Sequence, residues 1–324
     1  MHVLVAIYSD TAAWTIPPAQ VDELRGRFPD VTFAHAKDEA EMIRLIPQAE
    51  VVFSSCLTAA AFAVGSRLCW VHSPAAGVGS LLFPAMKASH IPLTNSRGMN
   101  ARAVAEHAIA MILALTRRLP DAVRAQSARQ WIQADLSGLP TLQGRTMGIV
   151  GLGAIGSELS AMAHALGLRV IGTRREVADP VPAGVAEALS PAELPRLLDE
   201  SDIVVLAAPL TAETRGLIGA SELSRMKPTA ILVNVSRGKL VREAELVRTL
   251  QAGTIAGAAL DVFEHEPLDQ SSPLWGMSNV LITPHVAGFR ADYWEAAVGV
   301  FSENLRRFLS GRPLLNLVDK AQGY

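Results

Sequence analysis

Residues 146–156 read Thr146-Met147-Gly148-Ile149-Val150-Gly151-Leu152-Gly153-Ala154-Ile155-Gly156, an apolar strand running straight into G-x-G-x-x-G. A glycine-rich turn alone is a weak signal. Here it closes a strand and opens a helix predicted to reach about residue 166, the context that a dinucleotide-binding turn requires. Gly151 permits the tight turn, Gly153 lets a pyrophosphate approach the backbone, and Gly156 lets the helix pack on the sheet. The backbone at Ala154 and Ile155 turns its N–H groups to the phosphates at the positive end of the helix dipole.

The same alternation extends in both directions. Apolar runs at 3–7, 31–34, 51–54, 70–72 and 92–95 are separated by amphipathic segments such as 18–28 and 39–46. Beyond the glycine turn, strands are expected at 169–173, 202–208, 230–235, 255–261 and 280–283. A helix is expected at 293–309, stopped by Gly311-Arg312-Pro313. A further helix at 101–117 is small and apolar along its interior and is expected to be buried on most sides. Residues 119–143 hold no clear strand and set Trp131 among polar neighbours, as an arm between domains or subunits would. The expected fold class is α/β: two doubly wound, Rossmann-like domains, parallel sheets flanked by helices, with a cleft between them.

Bulk properties narrow the function. The chain has 324 residues, half of them hydrophobic, enough for two domains. With 29 basic and 31 acidic residues the formal charge is −2, which points to no nucleic acid and no membrane as partner. No run approaches the ~18 apolar residues of a membrane span. Residues 1–10 read as a strand rather than a signal peptide, so a cytoplasmic location is expected. Cys56 and Cys69 make no disulfide framework and are expected to be small core residues at strand ends. No metal site is expected.

The end of the strand at 169–173 should choose the cofactor. An NAD site places a carboxylate there to bind the ribose hydroxyls. This chain instead reads Thr173-Arg174-Arg175-Glu176. A carboxylate would repel a 2′-phosphate, whereas paired guanidiniums bind it and Thr173 adds a hydroxyl. The expectation is NADP(H), with NAD(H) as an alternative in which Glu176 takes the acidic role and the arginines are solvated loop charges.

Three motifs close later strands: Val233-Asn234-Val235-Ser236-Arg237-Gly238, Asp261-Val262-Phe263-Glu264-His265-Glu266-Pro267 and Thr283-Pro284-His285-Val286-Ala287-Gly288. Ligands of open α/β sheets bind at the carboxyl ends of strands. Arg237 can hold a carboxylate and polarise a neighbouring carbonyl. His285 can give a proton to the carbonyl oxygen as hydride arrives, or take one back in reverse. Glu266 can hydrogen-bond the imidazole and stabilise its cation. Alone, each residue has a plainer reading: a surface arginine, a turn glutamate with Glu264 as a competitor, a structural histidine. His107, beside Glu106 in the helix at 101–117, reads as a satisfied core histidine. The set, not any member, points to reduction of a 2-keto acid.

These motifs, together with Val104-Ala105-Glu106-His107, Ala208-Pro209-Leu210-Thr211 and Glu213-Thr214-Arg215-Gly216-Leu217-Ile218, resemble the D-isomer-specific 2-hydroxyacid dehydrogenases over nearly the whole chain. The resemblance implies Arg237, Glu266 and His285 as catalytic residues, with His285 the acid/base. It implies that Asp261 contacts the nicotinamide carboxamide, that Pro209, Val235, Ser236 and Arg237 line the cofactor cleft, and that the turn Ala76-Gly77-Val78 holds the substrate carboxylate by its N–H groups. It further implies a substrate-binding domain at 1–98 and 287–324, a dinucleotide-binding domain at 99–286, and a homodimer with residues 119–143 as the arm. Arg174 replaces the family's common Asp, which is similar to its NADPH-using glyoxylate/hydroxypyruvate reductase branch. Gly79 stands where many relatives carry Asp. Relatives of this fold also include dinucleotide-sensing corepressors and dehydrogenases of other small anions such as phosphite. The neutral charge and short tails argue against a corepressor.

Overall fold

The strands of both sheets pair in parallel, and most of the connections that carry the chain back to the same edge contain a helix. The computed structural model describes residues 1–178 and 180–323. It divides into two compact units, residues 1–99 with 290–324 and residues 100–289.

The first unit carries β1 (His2–Ala6), β2 (Thr32–Ala36), β3 (Val51–Ser54), β4 (Trp70–Ser73) and β5 (Leu93–Asn95), ordered β2-β1-β3-β4-β5. β3 and β4 are buried along their whole length, as expected for strands covered on both faces. The helix Tyr293–Leu309 covers one face: Phe301 stacks on Phe53 at 4.3 Å and packs against Trp70 at 5.4 Å. Both ends of the chain therefore build one core. Gly311, at φ +66, ends the helix region in the left-handed conformation that glycine adopts freely.

The second unit carries β6 (Thr146–Val150), β7 (Arg169–Thr173), β8 (Val185–Leu189), β9 (Ile203–Leu206), β10 (Ile231–Asn234), β11 (Gly257–Leu260) and β12 (Val280–Ile282). All pair in parallel, in the order β12-β11-β10-β9-β6-β7-β8. From β6 the chain first builds outward through β7 and β8, then crosses to β9 on the other side. The carboxyl ends of β6 and β9 thus flank a topological switch point, where such sheets bind ligands. Two apolar clusters fill the two faces of this sheet.

Two expectations need correction. Cys69 is exposed and Cys56 half-buried, both with free thiols, so neither is a core residue. Trp70, the next residue, takes the buried side, and successive side chains of an extended chain alternate. The helix Ala101–Thr116 is buried along one stripe, Ala101, Val104, Ala105, Ala108, Met111 and Ile112, while Arg102 and Glu106 face solvent. Its all-round apolar composition overstated its burial. Residues 119–143 hold a helix, Leu119–Ser127, and a 3₁₀ turn, Ala134–Leu136. Among the described residues, no helix is long and apolar enough to cross a membrane.

Candidate active site

Gly151 sits at φ +106, and a Cβ there would lie 2.7 Å from the backbone nitrogen of Ala208. The turn after β6 therefore lies against the turn after β9, an approach only glycine permits. A Cβ on Gly156 would meet the carbonyl oxygen of Gly151 at 2.3 Å, whereas one on Gly153 would meet nothing within 4 Å. The first and last glycines are thus closed by protein and the middle one opens outward. The helix Ala154–Ala165 begins there with no side-chain cap, which leaves its first N–H groups available to a ligand. These residues fit the pyrophosphate of a dinucleotide.

Thr173 takes a position the sequence did not suggest. It is buried, and its hydroxyl accepts a hydrogen bond from Gly151 N–H at 3.3 Å, while Leu152 N–H donates to the Thr173 carbonyl at 2.8 Å. It ties the glycine turn to the end of β7. Arg174 is half-buried and donates to the Pro180 carbonyl at 3.0 Å; Arg175 is exposed. An open hollow beside the helix start is walled by Leu152, Ser157, Glu158, Arg174 and residues 180–183. Pro209 is exposed; Val235 belongs to the apolar core, and the buried Ser236 hydroxyl donates to the Ala208 carbonyl. Of these three, only Pro209 presents its side chain outward.

The structure brings Glu266 and His285 together directly. His285 Nδ1 lies 2.6 Å from Glu266 Oε2, and Glu266 Oε1 accepts from Phe263 N–H at 3.0 Å. With its Nδ1 proton held by a carboxylate, the imidazole turns Nε2 outward; the side chain is 48% exposed. The carboxylate on His285 is that of Glu266 and not of Glu264, whose N–H donates to the Glu243 carboxylate at 3.0 Å.

Arg237 follows β10 in a turn shaped by the buried Asn234. The Asn234 side chain accepts from Ser236 N–H at 3.1 Å and donates to the Arg237 carbonyl at 3.0 Å. The next residue, Gly238, lies so close to Phe263 that a Cβ would fall 1.8 Å from its carbonyl carbon. That contact presses the Arg237 turn onto the Glu266 loop. Desolvation by its surroundings holds the guanidinium below its ordinary pKa, and the nearby Glu266 carboxylate partly offsets this. Arg237 remains a cation: its Nη1 donates to the Ser236 carbonyl at 2.7 Å, and it lies close enough to Glu266 to feel that charge.

The loop carrying His285 is held from beneath by Asp261. The Asp261 side chain is 1% exposed. Its Oδ1 accepts from Thr283 Oγ1 at 2.6 Å and Val286 N–H at 2.9 Å, and Oδ2 accepts from Ala287 N–H at 3.0 Å. The His285 N–H donates to the Asp261 carbonyl at 2.8 Å. His285 itself has φ +54, a left-handed conformation that costs a residue with a Cβ about 1–2 kcal/mol. Asp261 therefore over-determines the loop, a task the sequence did not suggest. His107 also reaches this loop, with Nε2 3.0 Å from Thr283 Oγ1. Asn234, Gly238 and Thr283 lie within the quoted motifs, but the sequence assigns them no role of their own. An Asn closing a strand before a turn was the available signal for the first.

In the first unit, Ala76 and Gly77 are exposed and Val78 is buried. The Asn95 side chain donates to the Ala76 carbonyl at 2.7 Å and Ser96 N–H donates to the Ala75 carbonyl at 3.2 Å. The turn is thus pinned by its carbonyls, which leaves N–H groups to face an anion. A Cβ at Gly79 would meet nothing within 4 Å, so the loss of an Asp there leaves the packing unaltered.

A sequence model described as D-isomer specific 2-hydroxyacid dehydrogenase, NAD binding domain, matches residues 109–287. The chain is 32% identical over 316 residues to a glyoxylate reductase of Thermococcus gammatolerans, covering 94% of each. It is 35% identical over 291 residues to a D-3-phosphoglycerate dehydrogenase of Synechocystis sp., 87% of this chain but only 50% of that protein's length. The chain thus spans about half of that relative. Among solved structures, an NADPH-dependent glyoxylate/hydroxypyruvate reductase from Sinorhizobium meliloti, in complex with NADP and sulfate, superposes with a TM-score of 0.85. That match is at 28% identity and covers 100% of both chains.

Proposed function

The chain belongs to the D-isomer specific 2-hydroxyacid dehydrogenase family, and on that premise we propose that it reduces a small 2-keto acid to the D-2-hydroxy acid. NADPH is the preferred donor and NADH the weaker one. Glyoxylate and hydroxypyruvate are the first substrates, as the names of the glyoxylate reductase and glyoxylate/hydroxypyruvate reductase relatives suggest. The observation that carries the proposal is the 2.6 Å pair of His285 and Glu266 beside the cation of Arg237.

Each residue has a task in this reading. The backbone at Gly151, Gly153, Ala154, Ile155 and Gly156 takes the pyrophosphate, Arg174 and Arg175 take the 2′-phosphate, and the backbone from Val235 to Arg237 with Pro209 borders the nicotinamide end. When bound, the cofactor supplies the hydride. Arg237 holds the substrate carboxylate and polarises the keto group. In the first unit, the turn Ala76-Gly77-Val78 is assigned carboxylate binding by its N–H groups on the family resemblance alone. His285 passes its Nε2 proton to the carbonyl oxygen, and Glu266 holds Nδ1–H and balances the imidazolium. In reverse, His285 removes the hydroxyl proton.

The domain roles follow the family: substrate binding at 1–98 and 287–324, dinucleotide binding at 99–286, with residues 119–143 as the arm of a cytoplasmic homodimer. His285→Ala tests the chemistry. Loss of a general acid typically costs ~10²–10⁴-fold in kcat. Dinucleotide affinity should persist, and near-wild-type kcat would remove His285 as the proton donor.

A further inference from the structure

The Thr283 hydroxyl has one proton and two strong neighbours. At 2.6 Å from Asp261 Oδ1 it donates to that carboxylate, which can only accept. Its oxygen is then an acceptor toward His107 Nε2 at 3.0 Å. His107 must therefore carry a proton on Nε2 in either charge state. The hydrogen bonds run in one direction, from His107 through Thr283 to Asp261. His107 Nε2 also lies 3.7 Å from Asp261 Oδ1, so its N–H faces the carboxylate as well.

What Asp261 receives from one side it uses on the other. Its carboxylate accepts the Val286 and Ala287 N–H groups and its carbonyl accepts that of His285, three successive amides of the loop. The loop is held in a left-handed conformation at His285 that its own sequence disfavours. His107 comes from a different element, the helix Ala101–Thr116, whose buried stripe packs on the core of the second sheet. A residue that merely filled space would need no such directed chain.

We propose that His107 is a positioning residue for His285: it orients the Thr283 hydroxyl, which fixes the Asp261 carboxylate, which holds the loop. It touches no reacting atom. The proposal rests on His285 as the proton donor, and its test has one arm that does not depend on turnover.

That arm is amide hydrogen exchange in the full-length protein without ligand. In His107→Leu, exchange at Val286 and Ala287 should speed up roughly tenfold, the scale of one lost neutral hydrogen bond, while amides of β10 and β11 keep their rates. In steady state, kcat should fall roughly tenfold with the keto acid KM within about twofold, because the loss is in alignment rather than binding. His107→Gln, which keeps an N–H donor, should recover most of both effects. Thr283→Val should reproduce the leucine variant, and the double variant should add little to either. It also carries the test should His107→Leu not fold.

Unchanged exchange at Val286 and Ala287 in both His107→Leu and Thr283→Val would overturn the proposal. So would equal losses in the Leu and Gln variants, which would mark His107 as packing alone. If the wild-type protein reduces no keto acid but exchange responds as described, the reductase reading falls and what stands is the hold of His107, through Thr283 and Asp261, on the loop.

Discussion

At the scale of single residues, the site depends on where each charge is placed. Glu266 uses one carboxylate oxygen on the Phe263 N–H and the other on His285, so the imidazole has a fixed partner before any ligand arrives. Arg174 is the residue with the clearest separate consequence. If it binds the 2′-phosphate, Arg174→Glu should raise the KM for NADPH by ~10–100-fold, the ~1.5–3 kcal/mol of a hydrogen bond to a charged group, and leave the NADH KM within a fewfold. Equal effects on both cofactors would show that the arginine serves only the loop through Pro180. The sequence was most legible here, because Gly151–Gly156, Arg237, Glu266 and His285 each carry a chemistry that their residue type announces. Thr173, Asn234 and Asp261 were less so. Their work is to hold backbone N–H groups and carbonyls, and a partner that is backbone leaves no trace in the spacing of side chains.

At the scale of elements, periodicity placed most of the strands to within a few residues, but it passed over β8. That segment reads Val185-Ala186-Glu187-Ala188-Leu189 and is mostly half-buried at the edge of its sheet, with an irregular register where β7 meets it between Val170 and Ile171. An edge strand needs one apolar face only, and alanine and glutamate mark neither face strongly. The helix Leu119–Ser127 was missed for a related reason: its Leu119 and Val123 are exposed, so no buried stripe announced it. Those two residues, with Trp131 at 91% exposure, make an apolar surface on the segment proposed as the arm. Light scattering should then give a mass near twice the 34.5 kDa of one chain. Val123→Asp with Trp131→Asp should bring the mass to that of one chain. Two single-chain readings, wild type and variant alike, would refute the dimer.

At the scale of the whole molecule, two independent cores give two sources of stability, and one contains a buried titratable group. His72 is fully buried, and its neutral form is satisfied: Nδ1 lies 2.7 Å from Thr94 Oγ1, which also accepts the Trp70 indole N–H, and Nε2 lies 3.2 Å from Ser96 Oγ. Burial pushes its pKa down to about 3 from the ordinary 6.5. Between those values the unfolded chain binds a proton that the folded chain refuses. This contribution is complete above pH 6.5 and is lost as pH falls toward 3, at up to ~1.4 kcal/mol per pH unit. Urea midpoints measured from pH 7 to 5 should fall, and less steeply in His72→Asn; equal slopes would refute the account. On the proposed reading, the balanced overall charge leaves anion selectivity to Arg237 and the arginines after β7. The central claim, an NADPH-driven 2-keto acid reductase, is tested most directly by one steady-state measurement. Oxidation of NADPH and of NADH is followed at saturating glyoxylate and at saturating hydroxypyruvate. The account expects turnover with at least one of the two acids and a kcat/KM for NADPH at least ~10-fold above that for NADH, the scale of one hydrogen bond to a charged group. A clear preference for NADH would contradict the arginine reading, and dinucleotide binding without turnover of either acid would contradict the enzyme and favour a dinucleotide-sensing role.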